Sequence, residues 1–572
     1  MKPVTWLTII LGTLLIALFL FITSFETEIA SSYIKLFPTQ RDKSMVYWID
    51  LTYMLYNELV RICIFIIATV YLAQNVNTQS LFNKIEGRLL KNTTATIGAT
   101  VLLFTVLSTF VAAYILDAFP NSADEYAYLF QAEAISRGKL WDTPHQLKDF
   151  FEFHHIAQVN DVWVGRFPPG WPLVLAIGYL ASIPTYLVNV VLGAVSLIVL
   201  FIFCKRFYNE RVAVWATVCT AFTACVIFNA ASFFSHTASF LELLLFVYFL
   251  YLYMDERKAH QALLAGFFLA LLTITRYFTA FLIFIPFIVY LIYNLRLKSI
   301  NAFILIGLGS IPPMAFFFWY NYTITGDPLL PVTMWAYNDE ALGFVNGHTP
   351  AKGVEYVMRR ILMFVAWVSP AFLILYAVLL WNKMKHKSKW LMHPEDYGFV
   401  LLMIGYFFYY HNGGNQYGPR FYFEAIPFVI VFAIVKVLQS RNRWGYALII
   451  TGTVYALVKI PIIASHEHAI IEEREHVYQL VEEKGVRNAV IFLSSGAGLL
   501  RPMPNKDLTR NDKSYKNDVI YALDLKEKNK ELMDYYKGRN FYIYKRASRE
   551  TMGELMVLKP QENLTLQTAG DN

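Results

Sequence analysis

Apolar runs of about 20 residues recur along this chain, and one such run in a helix crosses the hydrocarbon core of a bilayer. Thirteen can be read, near 4–24, 50–73, 94–118, 181–203, 212–230, 236–254, 261–276, 278–294, 301–323, 361–381, 398–411, 421–438 and 444–464. Backbone groups in lipid must find their partners within the segment, so the expected fold class is a polytopic α-helical membrane protein. Of the 572 residues, 56% are hydrophobic and 16% charged, which lies outside the range of soluble domains. The net charge of +7 does not imply nucleic acid, because the cations sit in short loops between the runs. Cys63, Cys204, Cys219 and Cys225 all fall inside apolar runs, so no disulfide framework is read. The first run follows Lys2 and has no small-residue cleavage site after it, so an uncleaved helix is expected.

Lysine and arginine set the orientation, because short cationic loops stay in the cytoplasm. Alternate loops carry Lys84, Arg88 and Lys91, then Lys205, Arg206 and Arg211, then Arg257 and Lys258, then Arg296 and Lys298, then "KMKHKSK" at 383–389, then Arg441 and Arg443. The N-terminus is therefore expected inside, and the long loops 119–169 and 324–360 and the tail outside. The tail differs in kind: 467–486 is charged and helical in period, "NAVIFLSS", "DVIYALDL" and "NFYIYKR" read as strands, and "KEKNKELMDYYKG" as a helix. Three domains follow: helices preceding the core at 1–93, a transmembrane core at 94–464, and an extracytoplasmic α/β domain at 465–572. No internal repeat is seen, which weighs against transporter folds built from inverted repeats.

The first outer loop opens with "NSADEYAYLFQAEAISRGKLW" (121–141), directly after the third run. Charges this close to a bilayer are costly unless they are used. Leu129, Ala132, Ile135 and Ser136 continue a helical period from Tyr126, so 124–137 is expected as an amphipathic helix along the membrane surface, ended by Gly138. Pro168, Pro169 and Gly170 then break the chain before it re-enters. Asp124 and Glu125 have a plain structural reading too, with Ser122 or Asp124 capping a helix whose positive end favours acids.

The order of these stretches resembles the C-type (GT-C) glycosyltransferase superfamily, most nearly its bacterial members related to protein O-mannosyltransferases and aminoarabinose transferases, a family 39-like pattern. An acid pair soon after a core first helix, then Tyr and an Ala-rich helix, then a Pro-Pro return is matched by "ADEYAYLFQAEAISRGKLW" and "FPPGWPLVLAIGYL". "TRYFTAFLIFIPF" (275–287) and "GPRFYFEAIPFVIVF" (418–432) match later stretches, so the resemblance covers about residues 94–464. It implies a GT-C-like core of about 13 helices that takes sugar from a polyprenyl-phosphate donor on the outer face and passes it to a hydroxyl of a glycan, lipid or protein acceptor.

Such a transfer needs a base for the acceptor proton and cations for the departing phosphate. Asp124 best matches the base position, Glu125 beside it is the second candidate catalytic acid, and Asp117 is the runner-up. Arg420, Arg276 and Arg166 are candidate phosphate ligands, because arginine stays charged and offers paired donors. His236 and Tyr126 are candidate substrate contacts, and Lys352, Arg359 and Arg360 lie in a plausible lid. One displacement with a base in reach implies inversion at the anomeric carbon. No cofactor is implied. Glu152 with His154 and His155 invites a metal reading, but no ligand spacing supports one. The bilayer is an expected partner and nucleic acid is not. A lipid-linked glycan polymerase or ligase is the nearest alternative, ahead of a transporter. The topology is testable: a reporter active only outside the cytoplasm, fused after Asn572, is expected to be active, and cytoplasmic activity would reverse the orientation.

Overall fold

Helical hydrogen bonding satisfies the backbone of the apolar runs, and the few places where it fails turn out to carry the polar side chains. The structure is a computed structural model describing residues 43–337, 342–385, 393–411, 413–414, 416–494, 510–545 and 552–558. The span expected at 4–24 and most of the basic run at 383–389 lie outside the described residues. In chain order the helices are α1 (Lys43–Asn75), α2 (Thr78–Leu90), α3 (Thr93–Phe110), α4 (Ala123–Ser136), α5 (Gly170–Leu180), α6 (Tyr186–Phe207), α7 (Glu210–Ala221), α8 (Ala224–Ala231), α9 (His236–Glu256), α10 (Ala259–Leu295), α11 (Ser299–Thr325), α12 (Val332–Ala336), α13 (Pro350–Trp367), α14 (Pro370–Lys385), α15 (Gly398–Phe407), α16 (Ile426–Ser440), α17 (Arg443–Glu483) and α18 (Asn529–Tyr535). A hairpin of β1 (Ile156–Val159) and β2 (Val162–Gly165) lies in the first long loop, and β3 (Ala489–Leu493), β4 (Val519–Leu523), β5 (Asn540–Lys545) and β6 (Glu554–Val557) lie in the tail.

Among the described residues seven helices are long and apolar enough to cross a membrane, or eight if α7 and α8, bent by 63°, form one broken span. The runs expected as separate helices at 261–276 and 278–294 are two helices that meet within α10 at a kink, where the backbone of Arg276 is non-helical (φ −148°, ψ 76°). The run at 361–381 is divided, with α13 ending at Trp367 and α14 starting at Pro370, a residue well suited to the first turn of a helix. Glu58 and Arg61 form the local ion pair expected from their spacing, buried in α1.

The tail forms a sheet in the order β4-β3-β5-β6, with β3 parallel to both neighbours and β6 antiparallel to β5. The three expected strands and the helix are present; β6 is additional. The domain sits on the first long loop. Phe150 meets Phe492 at 6.4 Å between ring centres, Lys513 reaches Glu133 at 3.4 Å, and Lys528 reaches Asp149 at 3.3 Å. The expected surface helix is α4, but it does not lie open on a membrane surface. Residues 125–132 are all buried, covered in part by Lys513, whose ammonium is 3.9 Å from the Phe130 ring centre.

α10 and α11 approach closely where Gly266 faces Ile306 and Gly309 faces Leu263; a Cβ at either glycine would lie 1.9 Å from the facing carbonyl oxygen. Backbone cannot yield as a flexible side chain can, so Gly266→Leu and Gly309→Leu are each expected to cost on the order of 1–3 kcal/mol or more. The check is a lowered thermal midpoint in detergent, with Gly307→Leu, which would meet nothing within 4 Å, as the silent control.

Candidate active site

The site begins where α3 ends. A π-helical turn (Val111–Ile115) is followed by two residues in the left-handed region, Asp117 (φ 47°) and Ala118 (φ 51°), which reverse the chain into α4. Ser122 caps α4, its Oγ accepting from the Glu125 N–H at 3.2 Å. Glu125 reaches back: its Oε2 accepts from the Asn121 N–H at 2.9 Å and from the Ser122 hydroxyl at 3.1 Å. Ser and Glu have the spacing of a capping box, but the Glu carboxylate takes the N–H one residue before the cap in place of the cap's own. The other oxygen, Oε1, accepts from the Phe233 N–H at 3.0 Å. Glu125 is 1% exposed, and burial raises its pKa to about 7 against the lowering effect of these bonds.

Asp124 has a different environment. Its side chain is 27% exposed, with Oδ2 at 3.2 Å from Arg420 Nη1 and Oδ1 at 3.2 Å from His155 Nε2. Burial alone would raise its pKa, but the His155 hydrogen bond and the Arg420 charge outweigh burial and hold the carboxyl well below the usual range. Arg420 is set by its backbone: its N–H donates to the carbonyls of Gly414 at 2.9 Å and Gly418 at 2.8 Å. Its guanidinium lies 3.7 Å over the Phe234 ring. Gly418 is required there, since φ is +101° and a Cβ would lie 2.8 Å from Cys225 Sγ.

His155 arrives on the hairpin. Val159 pairs with Val162 across a two-residue turn whose first residue, Asn160, has φ 54°, and Ile156 pairs with Gly165. One step further the Arg166 N–H donates to the His155 carbonyl at 3.0 Å, which puts the two residues opposite each other. Arg166 Nη1 is then 3.4 Å from His155 Nδ1, and its guanidinium is 4.3 Å from the Tyr337 ring centre. The hairpin is fixed to α4 by the Gly165 N–H, which donates to Gln131 Oε1 at 2.9 Å.

A second cluster lies alongside, within the apolar helices. Arg276 Nε is 2.9 Å from Glu424 Oε1, and the Ser239 hydroxyl donates to the same oxygen at 2.6 Å. Thr275 donates to Glu242 at 2.9 Å. His236 is buried with neither ring nitrogen hydrogen-bonded, edge-on to Phe234 and Phe423.

Asp124, Arg420 and Arg166 thus join one connected set through His155, and Arg276 and His236 belong to the neighbouring cluster. Tyr126 is not brought to either. It packs against Phe119 and Phe153 at 6.2 and 5.1 Å between ring centres, two positions on from Asp124 and so on the opposite face of α4. Asp117 lies instead 3.9 Å from His468. Of the expected lid cations, Arg359 pairs with Glu355 at 3.2 Å, Lys352 donates to the Gly347 carbonyl, and Arg360 is fully buried, donating to the carbonyls of Tyr406, His411 and Gly413. Glu424 and Glu242 were not anticipated, although an acid inside an apolar run is itself a signal. Among the described residues no group of three His, Cys, Asp or Glu side chains is placed to hold a metal ion.

A family model described as dolichyl-phosphate-mannose-protein mannosyltransferase matches residues 169–319. No curated protein matches the chain. Among solved structures, ArnT from Cupriavidus metallidurans bound to undecaprenyl phosphate aligns with a TM-score of 0.50 at 10% identity, over 80% of this chain and 97% of that one. The same protein in the apo state aligns with a TM-score of 0.50 at 10% identity, over 77% and 92%. The apo oligosaccharyltransferase of Archaeoglobus fulgidus gives a TM-score of 0.41 at 11% identity, over 73% and 61%. The chain therefore has an ArnT-like GT-C fold, as its motifs led us to expect, with a small sheet domain at its C-terminal end.

The two acids at the head of α4 give a pH test. Glu125 holds its proton up to about pH 7 in the folded chain against an ordinary 4.5, so its contribution to stability is full below 4.5 and is lost as pH rises through 7. A shift of that size corresponds to roughly 3 kcal/mol. The thermal midpoint of the wild type, relative to Glu125→Gln, is expected to fall between those two pH values; a constant difference would mean the carboxyl titrates normally.

Proposed function

We propose that this chain is a membrane glycosyltransferase that moves a sugar from a polyprenyl-phosphate carrier to a hydroxyl acceptor, with inversion, on the outer face of a bacterial plasma membrane. The observation that carries the reading is the position of Asp124. It is a partly exposed, ionised carboxylate at the head of α4, held by Arg420 and His155, with Arg166 and Arg276 close by in the fold. A fold shared with a protein whose structure holds undecaprenyl phosphate supports a carrier of that chemistry here. Cationic loops at the other ends of the helices support an outward-facing site, with the core at 94–464 and the extracytoplasmic domain at 465–572.

A sugar on such a carrier cannot leave the bilayer, so its anomeric carbon stays near headgroup depth. The acceptor oxygen attacks that carbon while the bond to the phosphate oxygen breaks. The basic centre that takes the acceptor proton is built on Asp124. Glu125 is spent on holding the turn. Arg420, Arg276 and Arg166 supply the positive field for the phosphate, with His236 beside them. Arg276 is the most deeply committed of the three, because removing it would leave Glu424 buried without its cation.

The test is transfer of label from synthetic polyprenyl-phosphate sugars by purified protein, with the envelope glycans and lipids of a deletion strain as acceptors; comparing their masses with those of the parent strain identifies sugar and acceptor. Asp124→Asn is expected to insert normally and lose at least about 10²-fold in rate. Arg420→Ala and Arg276→Ala are expected to lose more than the corresponding Lys variants at matched folded protein, since lysine keeps charge but not paired donors. Equal use of a soluble nucleotide sugar would refute the carrier.

A further inference from the structure

Both oxygens of the Asp124 carboxylate are already engaged, one by Arg420 and one by His155. A carboxylate so held is a weak acceptor for a further proton. The imidazole beside it is better placed. Arg166 can only donate, so its contact at 3.4 Å is satisfied by the tautomer with the lone pair on His155 Nδ1 and the N–H on Nε2, which donates to Asp124. The ring is thus oriented by a carboxylate on one nitrogen and carries a lone pair on the other, the arrangement in which histidine serves as a general base.

That lone pair is covered by a group expected to have another task. Arg166 is a candidate phosphate ligand, and it also lines a small cavity with Tyr320, Asn321 and Thr333. The donor's phosphodiester carries one negative charge and the departing polyprenyl phosphate two, and either is a far stronger partner for guanidinium than a neutral imidazole.

We propose that His155 Nδ1 takes the acceptor proton, that Asp124 orients its ring, and that Arg166 covers Nδ1 until the donor's phosphate draws the guanidinium away. The inference rests on the polyprenyl-phosphate reading above. In the step, the acceptor O–H proton passes to Nδ1 and the acceptor oxygen forms its bond to the anomeric carbon. The bond from that carbon to the phosphate oxygen breaks, and its electron pair leaves with polyprenyl phosphate, paired to Arg166. The imidazolium that forms is stabilised by Asp124 and returns its proton to water. Coupling the base to the donor restrains proton abstraction when no sugar is bound. The charged and titratable groups facing the ring are Asp124, Arg166, Arg420, His154 and His411.

The experiment uses full-length protein in liposomes, radiolabelled mannosyl and glucosyl undecaprenyl phosphates as probes, and membranes of the deletion strain as acceptor. His155→Gln keeps a donor toward Asp124 but has no base; it is expected to lose at least about 10²-fold in kcat with donor KM within about threefold. His155→Ala is expected to regain turnover when imidazole is added, with rescue following the basicity of substituted imidazoles, which a purely structural role would not produce. Arg166→Ala is expected to raise donor KM. A His155→Gln enzyme keeping more than about a third of wild-type kcat, or a His155→Ala enzyme whose activity ignores imidazole, overturns the inference while the glycosyltransferase reading stands. A wild type that transfers neither these sugars nor any from the lipid-linked pool of parent-strain membranes overturns both.

Discussion

A short stretch of non-helical backbone at 232–235, between α8 and α9, is the feature on which the rest of the site depends. Irregular backbone among apolar helices is tolerable only if protein groups take its hydrogen bonds. Here three side chains do so. The Asn189 amide donates to the carbonyls of Asn229, Ser232 and Phe234, the Trp171 indole donates to the Phe233 carbonyl, and Glu125 accepts from the Phe233 N–H. α6, α5 and α4 are thereby tied to one loop. That loop presents Phe234 beneath Arg420 and sets His236 at the head of α9. The cation that holds Asp124 and the acid next to it are therefore positioned by the same few backbone atoms.

This explains how two adjacent carboxyls come to differ. Successive residues on a helix point about 100° apart. Glu125 turns inward to the 232–235 loop and the cap, and is isolated from water. Asp124 turns toward the hairpin and Arg420. Burial works on both, but only Asp124 gains a full positive charge at 3.2 Å, and the pair is split into one acid that keeps its proton to about pH 7 and one that is always ionised. Environments that push neighbouring carboxyls apart in this way commonly mark a division of roles.

The membrane class, the outer-loop helix, the Ser122 cap and the α/β tail were legible because each rests on local pattern: run length, a period of 3.6, a residue type at a fixed offset, alternation. The division of labour between Asp124 and Glu125 was not legible, because it depends on Phe233, Arg420 and His155, which are distant in sequence. Arg276 shows the intermediate case. Two apolar runs meeting at a cation read as two helices, and they are two helices joined at a kink at Arg276; what the runs did not show is that the kink sets the cation against the buried Glu424. Tyr126 shows the opposite limit. It sits in the most suggestive motif of the chain, yet helical geometry turns it into the packing against Phe119 and Phe153. The hairpin at 156–165 was not read from the sequence, although Asn160 and Asp161 between two short apolar stretches are a turn signal, and without it His155 was only one histidine among several outside the runs.

The tail domain belongs to the same construction. α17 runs from the apolar bundle to Glu483, five residues short of the first strand of the sheet, so the domain does not swing on a long linker. From that helix Arg474 donates to both the carbonyl and the side-chain oxygen of Asn121, whose own N–H is held by Glu125. Arg510, from the domain itself, lies 4.0 Å over Tyr478 and 5.6 Å from the Phe119 ring centre, which packs against Tyr126. The turn that aims Asp124 is therefore held from two sides, by the 232–235 loop within the bundle and by the base of the sheet domain outside it. A left-handed pair at 117–118 followed by a short buried cap is conformationally costly by itself, and its persistence requires that surrounding structure over-determine it. The domain supplies half of that surrounding structure, which gives it a physical task at the site independent of any ligand of its own.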